Sequence, residues 1–281
     1  MKVIEIKNVT FTYRGNNEPS LLNINFEVEK GEFILLTGPS GCGKSTLCRL
    51  FNGLIPHFYG GKLEGEVIVL DMNVKDTPTY ELARHVGMVF QDPENQLFLS
   101  NVEKEIAFGL ENLGLPRREI QRRVKEVIEY MGLENIKDKA PYELSGGQQQ
   151  KVAIASVLAM QPEILVLDEP TANLDPYSSL DLLNIVTRLN KELKMTVIIV
   201  EHKLEMLLDK VSRLMLMNKG RIVLDKAPQE AVLNSKIKIV GVPKIIEVYE
   251  QLKGTGYDLG KPPLSPEDFV NTIRKMVDTH G

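Results

Sequence analysis

Apolar and polar residues alternate through VIEIKNV (3–9) and again from Asn23 to Glu29, so the N-terminal part is expected to be β-rich. EFILLTG (32–38) is a short unbroken apolar run, the pattern of a parallel strand buried on both faces. A helix is expected to follow from Lys44 to about Gly53, then strands at EVIVL (66–70) and VGMVF (86–90). From about Asn101 to Lys139 the pattern changes. Ile120, Val124, Val127, Ile128 and Met131 recur at helical spacing among many charges, which predicts a helical insertion. LSGGQQQ (144–150) opens a helix to about Met160. A strand at EILVLDE (163–169), a helix over 176–193 and a strand at TVIIVEH (196–202) come next. RLMLMN and RIVLDK are two further short strands, with Lys219 and Gly220 at their turn. Such strand–helix alternation predicts a parallel sheet covered on both faces.

Beyond about Lys236 the pattern separates from what precedes it. Ile245, Ile246, Tyr249 and Leu252 mark one short helix, and GTGYDLGKPPL links it onward. Ser265 caps a second helix with Pro266 at its first position and Phe269, Val270, Ile273, Met276 and Val277 on one side. There is no internal repeat.

Composition adds limits. The 281 residues are 43% hydrophobic and 26% charged, enough for one large domain or one domain with an appendage. A net charge of -4 argues against a general nucleic-acid binder. No apolar run approaches the ~18 residues that cross a bilayer. Cys42 and Cys48 make no disulfide framework, and MKVIEIKNVT has the alternation of a strand and no signal-peptide core. A cytosolic chain is expected, with any membrane role reached through a partner.

Three stretches carry chemistry. GPSGCGKST (38–46) fits G-x-x-x-x-G-K-[ST] between a predicted strand and a predicted helix. Its glycines let backbone N–H groups point inward around phosphates, Lys44 reaches the terminal phosphates, and the Ser45 hydroxyl suits Mg²⁺. The candidate phosphate cradle is thus Gly38, Pro39, Ser40, Gly41, Cys42, Gly43, Lys44, Ser45 and Thr46. Cys42, at a helix start, is expected to have a lowered thiol pKa and to react readily. In ILVLDEP (164–170) a buried strand ends in two acids. Asp168 is placed to hold Mg²⁺ through water, and Glu169 to orient or deprotonate an attacking water. In LSGGQQQ, Ser145 and Gln148 have capping-box spacing, so a well-capped helix is the plainest reading.

The phosphate loop, LSGGQ and LVLDEP, in this order and spacing, resemble the nucleotide-binding subunit of an ABC ATPase, and the likeness extends to about residue 230. It implies an α/β P-loop NTPase: an ABC cassette with a β-rich N-terminal part, a mostly parallel sheet core, a helical insertion and a small C-terminal helical extension. Residues 1–235 would be the ATPase domain, with a helical subdomain at about 101–160, and 236–281 the extension. The cofactors implied are ATP and Mg²⁺. Two subunits would pack head to tail, with Ser145, Gly146, Gly147 and Gln148 of each capping the γ-phosphate held by the other. The resemblance further implies that Tyr13 stacks on adenine, Gln91 touches Mg²⁺ and the attacking water, Asp175 crosses the dimer interface, and His202 contacts the γ-phosphate. One departure is Glu201-His202-Lys203, where Thr-His-Asp is common.

FQDPENQLF (90–98), LIPHFYGGKLEGEV and the C-terminal extension are similar to ATPases of energy-coupling-factor importers, which serve vitamins and transition-metal ions. The function implied is ATP hydrolysis at the cytoplasmic face of the cell membrane. The implied partners are an identical or paralogous ATPase, a transmembrane subunit and a substrate-binding membrane subunit, with no nucleic acid. A soluble ABC ATPase of DNA repair or chromosome maintenance is the alternative; the sustained heptads such proteins carry are missing here. Residues 92–100, with Leu97, Phe98 and Leu99 flanked by Asp92 and Glu94, are the expected docking site for the membrane partner. His57, beside Phe58 and Tyr59, is expected to pack a loop and not to bind metal. The tail helices are expected to bury their stripes either on their own cassette or, the reading favoured, on the tail of the opposite subunit.

Overall fold

Residues 1–257 and 259–280 are described in this computed structural model, with side chains through 274. In chain order the elements are β1 (Lys2–Tyr13), β2 (Leu21–Glu29), β3 (Phe33–Thr37), α1 (Lys44–Phe51), α2 (Leu54–His57), β4 (Gly61–Val69), β5 (Met72–Asn73), α3 (Thr79–Leu82), β6 (Val86–Val89), α4 (Val102–Asn112), α5 (Arg117–Met131), α6 (Gly146–Leu158), β7 (Ile164–Asp168), α7 (Pro176–Leu193), β8 (Thr196–Val200), β9 (Arg213–Asn218), β10 (Arg221–Lys226), α8 (Pro228–Ala231), α9 (Lys244–Gly254) and α10 (Pro266–His280).

The alternating N-terminal stretches pair antiparallel in a four-stranded sheet ordered β2-β1-β4-β5. The unbroken apolar runs form a second sheet ordered β10-β9-β3-β8-β7-β6, parallel except for the β9–β10 hairpin. Successive side chains of a strand point to opposite faces, and the two faces feed two cores. Phe33, Leu35, Leu165, Leu167, Val197 and Ile199 join the helical side with α4 to α7. Ile34, Leu36, Ile164, Val166, Ile198 and Val200 join α1 and the antiparallel sheet. That double burial is why these strands carry no alternation.

The predicted insertion is the α4–α5 pair. Val102, Ile106, Leu110, Val124, Val127, Ile128 and Met131 are buried against α6 and the sheet, and Ile120 is half-buried. The two helices after Lys236 also form, and of the two packings expected for their stripes α9 takes its own cassette and not the favoured opposite subunit. Ile246 and Leu264 belong to the same core as the parallel sheet, and the Tyr249 ring is buried with its hydroxyl donating to Gly260 O at 2.7 Å. The Lys244 N–H at the start of α9 donates to Glu205 Oε1 at 2.8 Å, three residues past His202. A helix stripe seeks the nearest apolar surface, and its own cassette supplies one. On α10, Phe269 and Ile273 are half-buried and Val270 is exposed, while Met276 and Val277 lie outside the described side chains. No helix among the described residues is long and apolar enough to cross a membrane.

Candidate nucleotide site

β3 delivers the chain to Gly38 in the middle of the parallel sheet, and α1 leaves it at Lys44. The loop between them needs its glycines. Gly41 and Gly43 have φ of 74° and 109°, values that side chains resist. At Gly38 a Cβ would lie 2.2 Å from Met217 O, and at Gly43 one would lie 2.5 Å from Ser20 O. The β9–β10 turn, with positive φ at Lys219 and Gly220, braces the loop from outside: Gly220 N–H donates to Cys42 O at 3.0 Å. No side chain caps α1, so its first N–H groups stay free for an anion, and the helix dipole favours one. Lys44 is buried, its ammonium donating to Gly38 O at 3.0 Å and Pro39 O at 3.2 Å. Ser20, Ser40, Gly41, Gly43, Lys44, Ser45, Thr46, Gln91 and Glu169 line one open cavity of about 340 Å³.

Cys42 corrects the reactivity expectation. Its side chain is buried, and burial pushes the thiol pKa up, outweighing the pull of Lys44. Cys48 is buried as well, its thiol raised further by the same cause.

β7 ends beside the loop. Asp168 is buried, and its carboxyl is raised by that burial, with the Ser45 hydroxyl pulling the other way and the neighbouring Glu169 charge adding to the rise. Asp168 Oδ1 is buried with no hydrogen-bond partner. A buried carboxylate oxygen left orphaned beside a serine hydroxyl suits a hard dication such as Mg²⁺, which takes one or two protein oxygens and fills the rest of its shell with phosphate and water. No group of three or more His, Cys, Asp or Glu gathers as a metal cage among the described residues.

Glu169 turns the chain out of the strand at φ 51°. Its Oε1 lies 3.0 Å from His202 Nε2 and 3.8 Å from the Lys44 ammonium. The predicted trio of phosphate loop, acid and switch histidine is therefore assembled within one chain. Gln91 is exposed at the mouth of the same cavity. Tyr13 ends β1 next to it, half-buried, its hydroxyl 3.1 Å from Thr46 Oγ1 and accepting from Arg49 Nη1 at 3.1 Å. Its ring meets Phe11 and Tyr59 edge-on. Phe11 lies on β1 itself and Tyr59 between α2 and β4, so neither contact is a cross-strand pair, and the hydroxyl contact to Thr46 sets Tyr13 beside the phosphate loop.

Ser145, Gly146, Gly147 and Gln148 are absent from that cavity's lining. Ser145 and Gly146 are exposed at the tip of α6, and the capping box is formed: Gln148 N–H to Ser145 Oγ at 3.4 Å, Ser145 N–H to Gln148 Oε1 at 3.0 Å. Asp175 is exposed and caps α7, accepting from Tyr177 N at 2.9 Å and Ser178 N at 3.0 Å. His57 Nε2 bonds Val74 O at 2.9 Å, the loop-packing role expected.

Two acids were given no role from the sequence. Glu105, buried on α4, accepts the N–H groups of Phe98 and Leu99 and fixes the loop on which they lie. Its signal was an acid at the apolar spacing of Val102, Ile106 and Leu110. Glu201, buried at the end of β8, accepts from Thr171 N at 3.1 Å, from the Thr171 hydroxyl, and from His202 N at 3.1 Å. Its signal was the departure from Thr-His-Asp.

The model of the ABC transporter family matches residues 21–172. A putative ABC transporter ATP-binding protein of Pyrococcus horikoshii is 44% identical over 277 residues, 98% of this chain and 97% of that one. One of Methanosarcina mazei is 44% identical over 98% of this chain, which spans only 46% of that protein. The energy-coupling factor transporter ATP-binding protein EcfA1 of Caldanaerobacter subterraneus subsp. tengcongensis is 40% identical over 96% of this chain and 98% of its own length. Among solved structures, cbiO1 from Clostridium perfringens, described as part of the transporter complex cbiONQ, superposes with a TM-score of 0.76 at 32% identity, covering 91% of this chain and 97% of that one. A cassette dimer in a post-hydrolysis state with ADP and Pi has a TM-score of 0.70 at 30% identity, covering 80% of this chain and 98% of its own. The chain belongs to the ABC transporter ATP-binding family and is an ATPase cassette of it. Within that family it is similar to the energy-coupling-factor ATPases.

Proposed function

We propose that this chain is the ATP-hydrolysing subunit of an energy-coupling-factor type importer, bound to the cytoplasmic face of a membrane and energising uptake of a vitamin or a transition-metal ion. Residues 1–235 form the ATPase domain and 236–281 its extension. The observation that carries the membrane role is an apolar groove. Phe98 is 66% exposed and meets the Phe108 ring edge-on at 5.1 Å. With Tyr80, Met160 and Val157 these rings line a cavity of about 410 Å³ where α3 and the end of α6 meet the helical insertion. Leu97, by contrast, is buried and belongs to the cassette core. Two exposed aromatic rings, one of them on a loop whose backbone the buried Glu105 holds, form a surface ready for a partner helix.

At the nucleotide, the N–H groups of Gly38 to Thr46 and the Lys44 ammonium bind the phosphates, and Tyr13 meets the adenine. Ser45, Asp168 and Gln91 would hold Mg²⁺, which screens charge on the β- and γ-phosphate oxygens. Glu169 takes the proton of the attacking water, and His202, hydrogen-bonded to Glu169, faces the γ-phosphate. Ser145 to Gln148 and Asp175, none of which lines this cavity, serve the nucleotide of a second ATPase subunit, identical or paralogous. The dimeric cassettes similar to this chain support that reading. Substituting Phe98 by Asp should abolish co-purification with the membrane subunit while ATP binding by the isolated chain stays within about twofold. Normal assembly of this variant would remove the docking site from this loop.

A further inference from the structure

We propose that Glu201 is a positioning residue for hydrolysis, setting the distance between Glu169 and His202 through the backbone on both sides of that pair. The proposal rests on the roles given above to Glu169 and His202. Its geometry is independent of them. Glu201 is 3% exposed, and its two carboxylate oxygens are divided between two segments. Oε1 accepts the Thr171 N–H at 3.1 Å and the Thr171 hydroxyl. Oε2 accepts the N–H of His202 at 3.1 Å. Thr171 stands two residues after Glu169, and His202 is the next residue along the chain from Glu201. One buried anion therefore ties down the peptide leaving Glu169 and the peptide carrying the histidine.

The segment so held contains a residue in a costly backbone conformation. Glu169 adopts φ 51°, a conformation that a side-chain-bearing residue keeps only when its surroundings impose it. The turn beyond it closes by Ala172 N–H to Glu169 O and Leu174 N–H to Thr171 O, both at 3.2 Å. Lys203 Nζ reaches Thr171 O at 3.5 Å from the other side. Glu201 and Lys203 flank His202, and both converge on Thr171. The departures from Thr-His-Asp thus have one target. Neither Glu201 nor Thr171 lines the phosphate cavity, so their effect on the reaction must pass through Glu169 and His202. Hydrogen bonds from a surrounding shell matter here because a misplacement of about 1 Å at the reacting groups can cost on the order of 10²-fold in rate.

Glu201→Gln keeps the shape but turns an NH₂ group toward an N–H donor, so one of the two tethers must break. The expected result is a fall in kcat of about 10- to 100-fold, with the KM for ATP and the ATP dissociation constant changed less than about threefold. Thr171→Val, which keeps the N–H and loses only the hydroxyl, should give a smaller loss, and Thr171→Ser should restore the rate. Combined with Glu201→Gln, Thr171→Val should add less than its own single effect, because both act on one contact. Wild-type kcat in Glu201→Gln overturns the proposal. So does a parallel loss of thermal midpoint, ATP affinity and kcat in Thr171→Val, since that is the pattern of a packing anchor. If Glu201→Gln does not fold, the Thr171→Val and Thr171→Ser pair decides alone: equal rates in the two variants overturn the proposal, and rescue by Ser supports it. If Glu169→Gln itself leaves turnover intact, the failure lies in the roles assigned to the nucleotide site and not in Glu201.

Discussion

The chain holds two helix starts built for anions, and they are built in opposite ways. At α1 the N–H groups are uncapped, the glycines have φ values that side chains resist, a buried lysine stands behind them, and a buried carboxylate with an orphaned oxygen waits alongside. At α6 the serine caps its own helix, the lead residues are exposed, and no side chain of the phosphate cavity comes from it. The first site is unsatisfied until a charged ligand arrives. The second has its Ser145 and Gln148 N–H groups occupied by its own cap, which leaves the Gly146 and Gly147 N–H groups to meet a phosphate. The difference supports the proposal that the α1 loop binds ATP within one subunit, while the α6 tip serves a phosphate presented by another.

The largest expected effect separates chemistry from binding at the first site. Glu169→Gln preserves shape and removes the base, so kcat should fall about 10²- to 10⁴-fold with ATP affinity retained. A stopped assay beside a binding titration checks both, and retained turnover would remove Glu169 from its role.

Asp168→Asn exposes the cost of the unsatisfied side. Burial raises the Asp168 carboxyl, so the folded chain holds that proton to higher pH than the unfolded chain. An acid raised in this way takes stability from the free protein as pH climbs through its folded pKa. The asparagine variant should therefore melt higher than the parent at neutral pH without nucleotide, and the gap should close as pH falls toward the ordinary carboxylate range. Its Mg²⁺-dependent hydrolysis should be lost across the range. In the parent the Mg²⁺ requirement should rise on acidification, as Asp168 takes up its proton. A lower melting point in the variant at neutral pH would contradict the reading of Oδ1 as a waiting ligand.

The smallest effect belongs to the second site. Ser145→Ala deletes a cap worth about 0.5–2 kcal/mol, and the length of the bond puts it at the low end. The thermal midpoint should drop by only about 2 °C, and the ATP affinity of the isolated chain should not move.

Both helix starts were legible in the sequence because their signals are local: glycine spacing, a lysine, a serine three residues before a glutamine. The parallel strands were legible for the same reason, and α7 begins and ends at 176 and 193 as its pattern predicts. β4 was read as starting at 66 but begins at Gly61, since GKLEG carries no apolar alternation and becomes a strand only by pairing with β1 up to Tyr13. The partners of Glu201 and the packing of α9 on its own cassette were not legible, because no short-range pattern records a contact across 30 residues or more. Cys42 was misread for a different reason. The helix start and Lys44 do pull the thiol pKa down, but burial, which the sequence does not display, outweighs them.

The claim that one cradle works alone and the other works across subunits is tested most directly by sedimentation velocity with Mg-ATP, followed at the absorbance of bound nucleotide. Three chains are compared, each carrying Glu169→Gln to stop turnover: one otherwise intact, one with Ser145→Arg and one with Lys44→Ala. The intact chain should sediment as a nucleotide-loaded dimer, alone or on addition of its paralogous partner. The Ser145→Arg chain should carry nucleotide as a monomer, and the Lys44→Ala chain should carry little. Loss of bound nucleotide from the Ser145→Arg monomer to the same degree as from Lys44→Ala would place both cradles on one ATP within one chain, and the account would be wrong.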